Sequence, residues 1–151
     1  MMLKRTLALA TLTLLIGVAC DDDDDLDDLT MADVAGDYEA RGETGVFSVT
    51  IAGIAVDLLD AGGFIELSLE ANGTTTGTLF APGVDEDGGD LNATLDGTWT
   101  LREDDDDWIV ELSQGADTFL RDVRLEVEGN GRLEIDETVD GARIQVTLIR
   151  Q

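Results

Sequence analysis

The sequence predicts an all-β protein: a small antiparallel up-and-down β-barrel of about eight to nine strands, with a two-sheet β-sandwich as the alternative. Three observations support this fold class. Apolar and polar residues alternate with period two over most of the chain from Val34 onward. Turn-forming glycine, asparagine and aspartate residues separate the alternating runs at short intervals. Little of this region has the periodicity of a helix.

The first 19 residues have the three-part layout of an export signal. Lys4 and Arg5 supply positive charge, and a predominantly apolar run over residues 7–18 follows and ends in small residues. Residues 6–19 would span about 21 Å as a helix, which is shorter than the roughly 30 Å hydrocarbon core of a membrane. We therefore predict a signal helix that directs export and is then removed, rather than a permanent membrane-spanning helix.

The only cysteine of the chain, Cys20, follows this segment directly. Gly17, Val18, Ala19 and Cys20 resemble the lipobox of bacterial lipoprotein precursors, in which leucine is more frequent than glycine at the position of Gly17. The resemblance implies cleavage before Cys20, which then carries a thioether-linked diacylglycerol, usually with an amide-linked acyl chain such as palmitate. Two or more acyl chains anchor a protein stably, whereas one anchors it only marginally. An ordinary free thiol is the alternative from the residues alone.

Residues 20–32 form the predicted tether between the lipid anchor and the folded domain. Residues 21–25 are consecutive aspartates, continued by Asp27 and Asp28. Because like charges in a run repel one another and cannot pack, we predict a disordered, extended segment that holds the domain away from the membrane. The alternative role of these aspartates, calcium binding, lacks the glycine and the backbone turn of a preformed cage.

Nine segments of the folded domain, residues 33–151, have the alternation of half-buried strands. In one of them Ile65, Leu67 and Leu69 point to one face, while the polar residues between them point to the other. The predicted strands are 36–41, 45–52, 64–71, 75–80, 93–101, 108–113, 119–128, 132–137 and 143–150.

The connections between these strands are short and rich in turn residues. Asn72-Gly73 and Asp140-Gly141 are pairs that tolerate the positive φ of tight hairpins, so sequential strands are predicted to be antiparallel neighbours. A meander of this size removes its exposed edges by closing into a barrel, and the sandwich is the rival arrangement. Residues 54–62 are the one ambiguous segment, predicted as a short helix or a cap.

Four motifs carry a second resemblance. They are Val34-Ala35-Gly36-Asp37-Tyr38, Leu69-Glu70-Ala71-Asn72-Gly73-Thr74, Gly97-Thr98-Trp99-Thr100 and Val146-Thr147-Leu148-Ile149-Arg150. Together they resemble the lipocalin-like, calycin-type barrel domains of bacterial lipoproteins over nearly the whole mature domain. Tyr38 stands where lipocalins proper have tryptophan, and the chain is shorter than theirs. The resemblance implies a barrel whose interior holds a small hydrophobic ligand.

Seven inward-facing residues are expected to line such an interior. They are Leu67, Leu69, Trp99, Leu101, Trp108, Val110 and Leu125. The alternative is that these side chains simply fill the barrel, because an eight-stranded barrel is just wide enough for its own side chains. The two tryptophans would then be core anchors with a large buried area.

Composition excludes several classes of function. The chain has 34 Asp plus Glu residues against 9 Lys plus Arg, a formal charge of −25, which repels phosphate backbones and predicts no nucleic-acid partner. Without histidine and with one cysteine, the chain has no Cys/His zinc site, no usual catalytic triad and no intrachain disulfide. Neither a carboxylate pair in apolar surroundings nor a glycine-rich phosphate loop is present. We predict a non-enzymatic protein with no catalytic residues.

Two acidic turns, residues 85–90 and 103–107, are the metal candidates. Position six from Asp85 is Asp90 rather than glycine, and position twelve is Asp96 rather than glutamate, so the first turn fails as an EF-hand loop. We predict no metal site, only solvated carboxylates that collect Ca²⁺ weakly. The covalent lipid on Cys20 is then the one bound group expected.

These expectations combine into a lipoprotein of the bacterial cell envelope, anchored to the inner or outer membrane with its domain facing the periplasm or the exterior. Its barrel would be a binding module for a small hydrophobic molecule. The alternative is an interaction protein with a filled core, an inhibitor or an envelope-assembly partner. An interior void would favour the first hypothesis, and a packed interior with an exposed apolar patch would favour the second.

Overall fold

The computed structural model describes residues 29–85, 87–129, 131–139 and 141–151. The predicted signal helix, the lipobox, Cys20 and the aspartate run lie outside these residues. One short helix, α1 (Met31–Val34), precedes eleven strands. The strands are β1 Gly36–Arg41, β2 Val46–Ile51, β3 Ile54–Asp57, β4 Phe64–Leu69, β5 Thr74–Ala81, β6 Leu91–Thr94, β7 Gly97–Asp104, β8 Asp107–Gln114, β9 Asp122–Glu128, β10 Arg132–Val139 and β11 Ala142–Arg150.

Eight of these strands close into an antiparallel barrel. Their order around the ring is β1-β4-β5-β7-β8-β9-β10-β11, and β11 pairs back to β1 through Tyr38↔Arg150 and Glu39↔Ile149. The ring follows chain order once β2, β3 and β6 are set aside. The prediction of an all-β, up-and-down barrel is therefore confirmed, and the sandwich alternative is wrong because closure through β1 and β11 leaves one continuous ring.

Strands β2 and β3 extend the sheet beyond the ring. The first six residues of β11 pair with β2, from Ala142↔Ile51 to Thr147↔Val46, while only its last two residues pair with β1. A turn at residues 42–45 separates β1 from β2. On its other side β1 pairs with β4, whereas β2 pairs with β3. The result is a four-stranded extension, β10-β11-β2-β3, that projects from one end of the barrel.

Of the two alternatives for residues 54–62, a short helix or a cap, the helix is wrong, because residues 54–57 form β3. Ala52 and Gly53 have positive φ, of 51° and 82°, and turn the chain into a β2–β3 hairpin. The Asp57 Oδ1 atom then accepts hydrogen bonds from the backbone N–H groups of Leu59 and Asp60, at 2.9 and 3.2 Å. This turn directs Leu58 and the adjacent leucine into the core, where they close this end of the barrel as a cap.

Most predicted strand boundaries lie within two residues of the observed ones, and two segments differ by more. The segment 93–101 is divided into β6 and β7, although both pair with β5 in one register, through Thr78↔Thr94 and Thr75↔Gly97. Between them the fully buried Leu95 donates its N–H to the Gly77 carbonyl oxygen at 2.9 Å. The segment predicted to begin at 119 becomes a strand only at Asp122. Consecutive turns over residues 116–121 bury Leu120 instead, which local alternation does not reveal.

The N-terminal helix is fastened to the last strand. The Tyr38 hydroxyl donates to the Val34 carbonyl oxygen at 2.6 Å, and burial raises the pKa of this phenol. Arg150 donates to the carbonyl oxygens of Asp33, at 2.8 Å, and Ala35. These hydrogen bonds attach residues 33–35 to β1 and β11, the two strands that pair to close the barrel. The first and last parts of the described region are therefore bonded to each other.

Candidate interaction surface

Large apolar side chains occupy the barrel interior. Trp99 is 1% exposed, and its indole N–H donates to the Glu70 carbonyl oxygen at 2.8 Å. The other large, fully buried side chains are Phe47, Leu58, Ile65, Leu67, Leu69, Leu79, Leu95, Leu120, Leu125, Leu133 and Leu148. They belong to one contiguous core cluster that receives residues from the ring strands and from the cap.

The residues predicted to line a ligand site are brought together in this core. Leu67, Leu69, Trp99, Val110 and Leu125 are buried members of the cluster. The remaining two are less enclosed: Leu101 is partly buried against the cluster, and Trp108 is partly buried near the tip of the β7–β8 hairpin. The six residues that belong to the cluster or pack against it show the arrangement expected of a filled eight-stranded barrel, whereas Trp108 is not part of the cluster.

Two polar side chains are buried in the described part of the chain, Thr75 and Gln114. The Thr75 hydroxyl lies 3.0 Å from both the Leu95 carbonyl oxygen and the Gln114 Oε1 atom. The Gln114 Nε2 atom is buried without a hydrogen-bond partner among the described residues. Thr75 and Gln114 lie where β5, β7 and β8 approach closely, and they are a buried polar pair within an apolar core.

A groove of about 520 Å³ lies on the outer surface and is open to solvent. It lies between the β7–β8 turn and the outward faces of β9, β10 and β11. Its acidic lining residues are Asp104, Asp105, Asp107, Glu126, Glu134, Asp136 and Glu137, and Arg124 is the cation among them. Two further open depressions, of about 270 and 320 Å³, lie over β1–β4–β5 and over β5–β6.

Arginines on the outer face neutralise part of this acidic groove. Arg124 donates to Asp104, and Arg102 lies 3.3 Å from the same carboxylate and 2.6 Å from Glu111. These two guanidinium groups hold the pKa of Asp104 below its ordinary value of 3.8, with the Arg124 hydrogen bond as the larger cause. Arg143 lowers the pKa of Asp136 in the same way. All of these groups are exposed, so the pairs organise the surface more than they stabilise the fold.

The acidic turns considered as metal candidates serve local structure. The Asp90 Oδ1 atom, at the end of the first turn, accepts the N–H of Gly83, which precedes that turn, at 3.0 Å, and Asp104 of the second turn is paired with Arg124. Among residues 29–85, 87–129, 131–139 and 141–151, no group of three or more acidic side chains is arranged to hold a metal ion.

An exposed apolar surface lies on the four-stranded extension. Val139, Ala142, Ile51 and Ile54 are directly opposed across β10, β11, β2 and β3, so they point to the same face. Val56 lies next to this row on β3. We call these five residues the apolar strip. Its large members are 38–69% exposed, and they continue the core-facing side of the sheet past the end of the barrel.

The strand at the margin of this strip has an unpaired edge. β3 pairs with β2 and, within the described residues, with no other strand. The Leu58 N–H donates to the Phe47 carbonyl oxygen at 2.8 Å, and hydrogen-bonded pairs alternate along an antiparallel ladder. The pairs Val49↔Val56 and Ile51↔Ile54 therefore exchange bonds, and the backbone groups of Ala55 and Asp57 point away from β2.

Sequence reasoning did not identify this surface. The available signal was the alternation of Ile54, Ala55, Val56 and Asp57 directly after a positive-φ turn, which is the pattern of a hairpin strand. Because two adjacent leucines follow, the segment was also compatible with a short helix, and only the pairing with β2 distinguishes the two.

Comparisons of the chain with protein-family models, with curated proteins and with solved structures found no match. Within the described residues, no helix is both long enough and apolar enough to cross a membrane. Cys20 and the lipobox residues Gly17, Val18 and Ala19 lie outside the described residues, so the lipidation site stays a prediction from sequence.

Proposed function

We propose that this chain is an exported lipoprotein of the bacterial cell envelope, held at a membrane by lipid on Cys20, whose barrel binds a protein partner on its outside and catalyses no reaction. The observation that carries the second half of this proposal is the combination of a packed interior with an exposed apolar strip. Contiguous exposed apolar surface on a soluble domain is typical of an interaction site.

The proposed anchor stands close to the barrel. Eight residues, 21–28, lie between Cys20 and Leu29, which packs against the core. Fully extended, these residues reach at most about 30 Å. The aspartates among them favour extension and repel the domain from anionic lipid headgroups. The barrel is thereby held off the membrane surface, at a distance of no more than about 30 Å, and its outer faces stay accessible.

A small hydrophobic ligand inside the barrel is the less favoured function. To enter, it would have to displace packed side chains such as Trp99, Leu67 and Leu125, each at most 2% exposed. Removing such side chains from their packed positions costs several kcal/mol apiece. Analysis of lipid extracted from the purified protein tests this alternative, and a stoichiometric apolar molecule bound to the unmodified barrel would support it.

Cell fractionation of a Cys20→Ser variant tests the anchoring. We expect the unmodified protein in the membrane fraction and the variant either released from it or retained as the uncleaved precursor. A matched control combines Cys20→Ser with Thr98→Cys on the exposed face of β7, which restores the thiol but not the lipobox, and it is expected to behave like Cys20→Ser. Membrane attachment and processing of Cys20→Ser identical to those of the unmodified protein would contradict the proposal.

A further inference from the structure

We infer that the open edge of β3 is a docking site for an extended segment of a basic partner protein, in which apolar residues alternate with lysine or arginine. The segment would add to the sheet as one more strand beside β3. The inference rests on the proposed function and specifies the chemistry of its partner.

The backbone of β3 supplies the first argument. The N–H and C=O groups of Ala55 and Asp57 face away from β2, and all four residues of the strand are exposed. An unpaired edge of this kind is a template for another strand, which gains main-chain hydrogen bonds at alternate residues. Natural edge strands are usually protected by a charge pointing along the apolar face, by proline or by a bulge. The apolar side of β3, Ile54 and Val56, has none of these.

The apolar strip supplies the second argument. A strand added beside β3 places every second side chain on the same face as Ile54 and Val56, which are 69% and 46% exposed. Apolar side chains at those positions would extend the row that already runs through Ile51 and Val139. Because the exposed apolar residues of β3 are two positions apart, they match the side-chain spacing of an extended segment and not that of a helix.

Charge supplies the third argument and decides between possible occupants. On the opposite face of β3, Asp57 is exposed and Asp60 follows it in the adjoining turn. A lysine or arginine opposite Asp57 forms a favourable cross-strand pair. A second copy of this chain, with a formal charge of −25, meets repulsion that a basic segment does not. The surface therefore fits a cationic partner better than a homodimer.

The test uses the protein purified from cells with whatever modification it carries, in lipid nanodiscs if it is acylated and in buffer if it is not, titrated against a fluorescent octapeptide of alternating valine and lysine. The matched control peptide carries four lysines followed by four valines. We expect saturable binding of the alternating peptide and at least about tenfold weaker binding of the control. A peptide N-methylated on the residues that face the edge should lose binding to a similar extent, because it cannot donate to Ala55 and Asp57.

Variants locate the binding to β3. Ile54→Thr with Val56→Thr retains β propensity and removes apolar surface, and it should weaken binding about tenfold. Val46→Thr is the matched control, because Val46 is 44% exposed but lies on the outward face beside the acidic groove. Ala55→Pro removes an outward N–H without breaking a bond to β2 and should also abolish binding. Circular dichroism establishes that each variant is folded.

Hydrogen exchange of the unmodified protein gives a readout without mutation. The peptide should slow exchange at the amides of Ala55 and Asp57, and unchanged exchange there would overturn the inference. Equal affinity of all variants, or no saturable binding, would also overturn it. A dimer in sedimentation that Ala55→Pro dissociates would assign the edge to a second copy instead. Peptide binding does not depend on the acyl group, so failure of the anchoring proposal is observed separately, as an unmodified Cys20.

Discussion

Replacing Trp99 by alanine tests whether the barrel is filled. An indole buries about 150–250 Å² of surface, which at about 25 cal/mol per Å² corresponds to roughly 4–6 kcal/mol as an upper bound. Measured losses for tryptophan-to-alanine changes in packed cores are about 3–5 kcal/mol. Trp99 is 1% exposed, and its indole N–H donates to the Glu70 carbonyl oxygen at 2.8 Å. We therefore expect the free energy of unfolding to fall by about 3–5 kcal/mol.

Urea unfolding followed by circular dichroism measures the loss without relying on the fluorescence of the replaced residue. Thr100→Ala, at an exposed position on the same strand, is the matched control and should change the free energy of unfolding by no more than about 0.5 kcal/mol. Trp99→Phe keeps much of the apolar area but leaves the Glu70 carbonyl oxygen without the indole donor. We expect it to cost about 1–2 kcal/mol, between the other two variants.

The alanine variant should also acquire an apolar cavity that the unmodified protein does not offer. A small hydrocarbon such as benzene is expected to raise the unfolding midpoint of Trp99→Ala and leave that of the unmodified protein unchanged. A loss below about 1 kcal/mol, or equal stabilisation of both proteins by the hydrocarbon, would mean that the interior already has room for a ligand. That result would refute the filled-barrel reasoning.

Three further predictions concern the packing and the surface charge. Gly97→Ala should destabilise the fold by about 1–3 kcal/mol in urea unfolding, because an added Cβ would meet the Ser113 carbonyl oxygen and lie 2.8 Å from the Gln114 Oε1 atom; full stability would contradict this close approach of β7 and β8. Gln114→Met removes a buried amide whose Nε2 atom is unpaired, while the Thr75 hydroxyl keeps the Leu95 carbonyl oxygen as an acceptor, so stability should change by less than about 1 kcal/mol; a loss above about 2 kcal/mol would contradict an unpaired Nε2 atom. The ion pair with Arg143 lowers the pKa of Asp136 below 3.8, so its stabilising contribution is complete above that pH and is lost as the pH falls through the folded-state pKa. The difference in melting temperature between Asp136→Asn and the unmodified protein should therefore be present at pH 7 and disappear in strong acid; a difference that persists there would rule out this ion pair as its origin.

The barrel was predictable because the sequence signals for it, alternating apolar residues and turn residues, are local and recur along the chain. Residues such as Ile65, Leu67 and Leu69 alternate with polar neighbours, and glycine-containing turns force successive strands to be antiparallel. The exceptions lie where local sequence and long-range pairing disagree. Phe119 begins an alternating run but lies in a series of turns, and residues 54–57 form a hairpin strand although the leucines after them also suited a short helix. Such breaks depend on contacts with strands distant in sequence.

The candidate surface was less predictable for a physical reason. Inward alternation of Trp99, Val110 and Leu125 is the same whether a barrel is hollow or filled, since the pattern fixes the direction of a side chain but not the volume around it. Likewise, Ile54 and Val56 look like core residues in sequence. Their exposure follows from the place of β3 at the end of the sheet, which is set by the pairing of β2 with β11.

Intact-mass analysis of the protein extracted from membranes tests the central claim most directly, because the proposed lipid on Cys20 would determine where the barrel resides and which partners it meets. The account predicts a chain that begins at residue 20 and is heavier than its amino-acid mass by a diacylglycerol and, usually, one further acyl chain. A chain that retains Met1, with an unmodified thiol at Cys20, would contradict it.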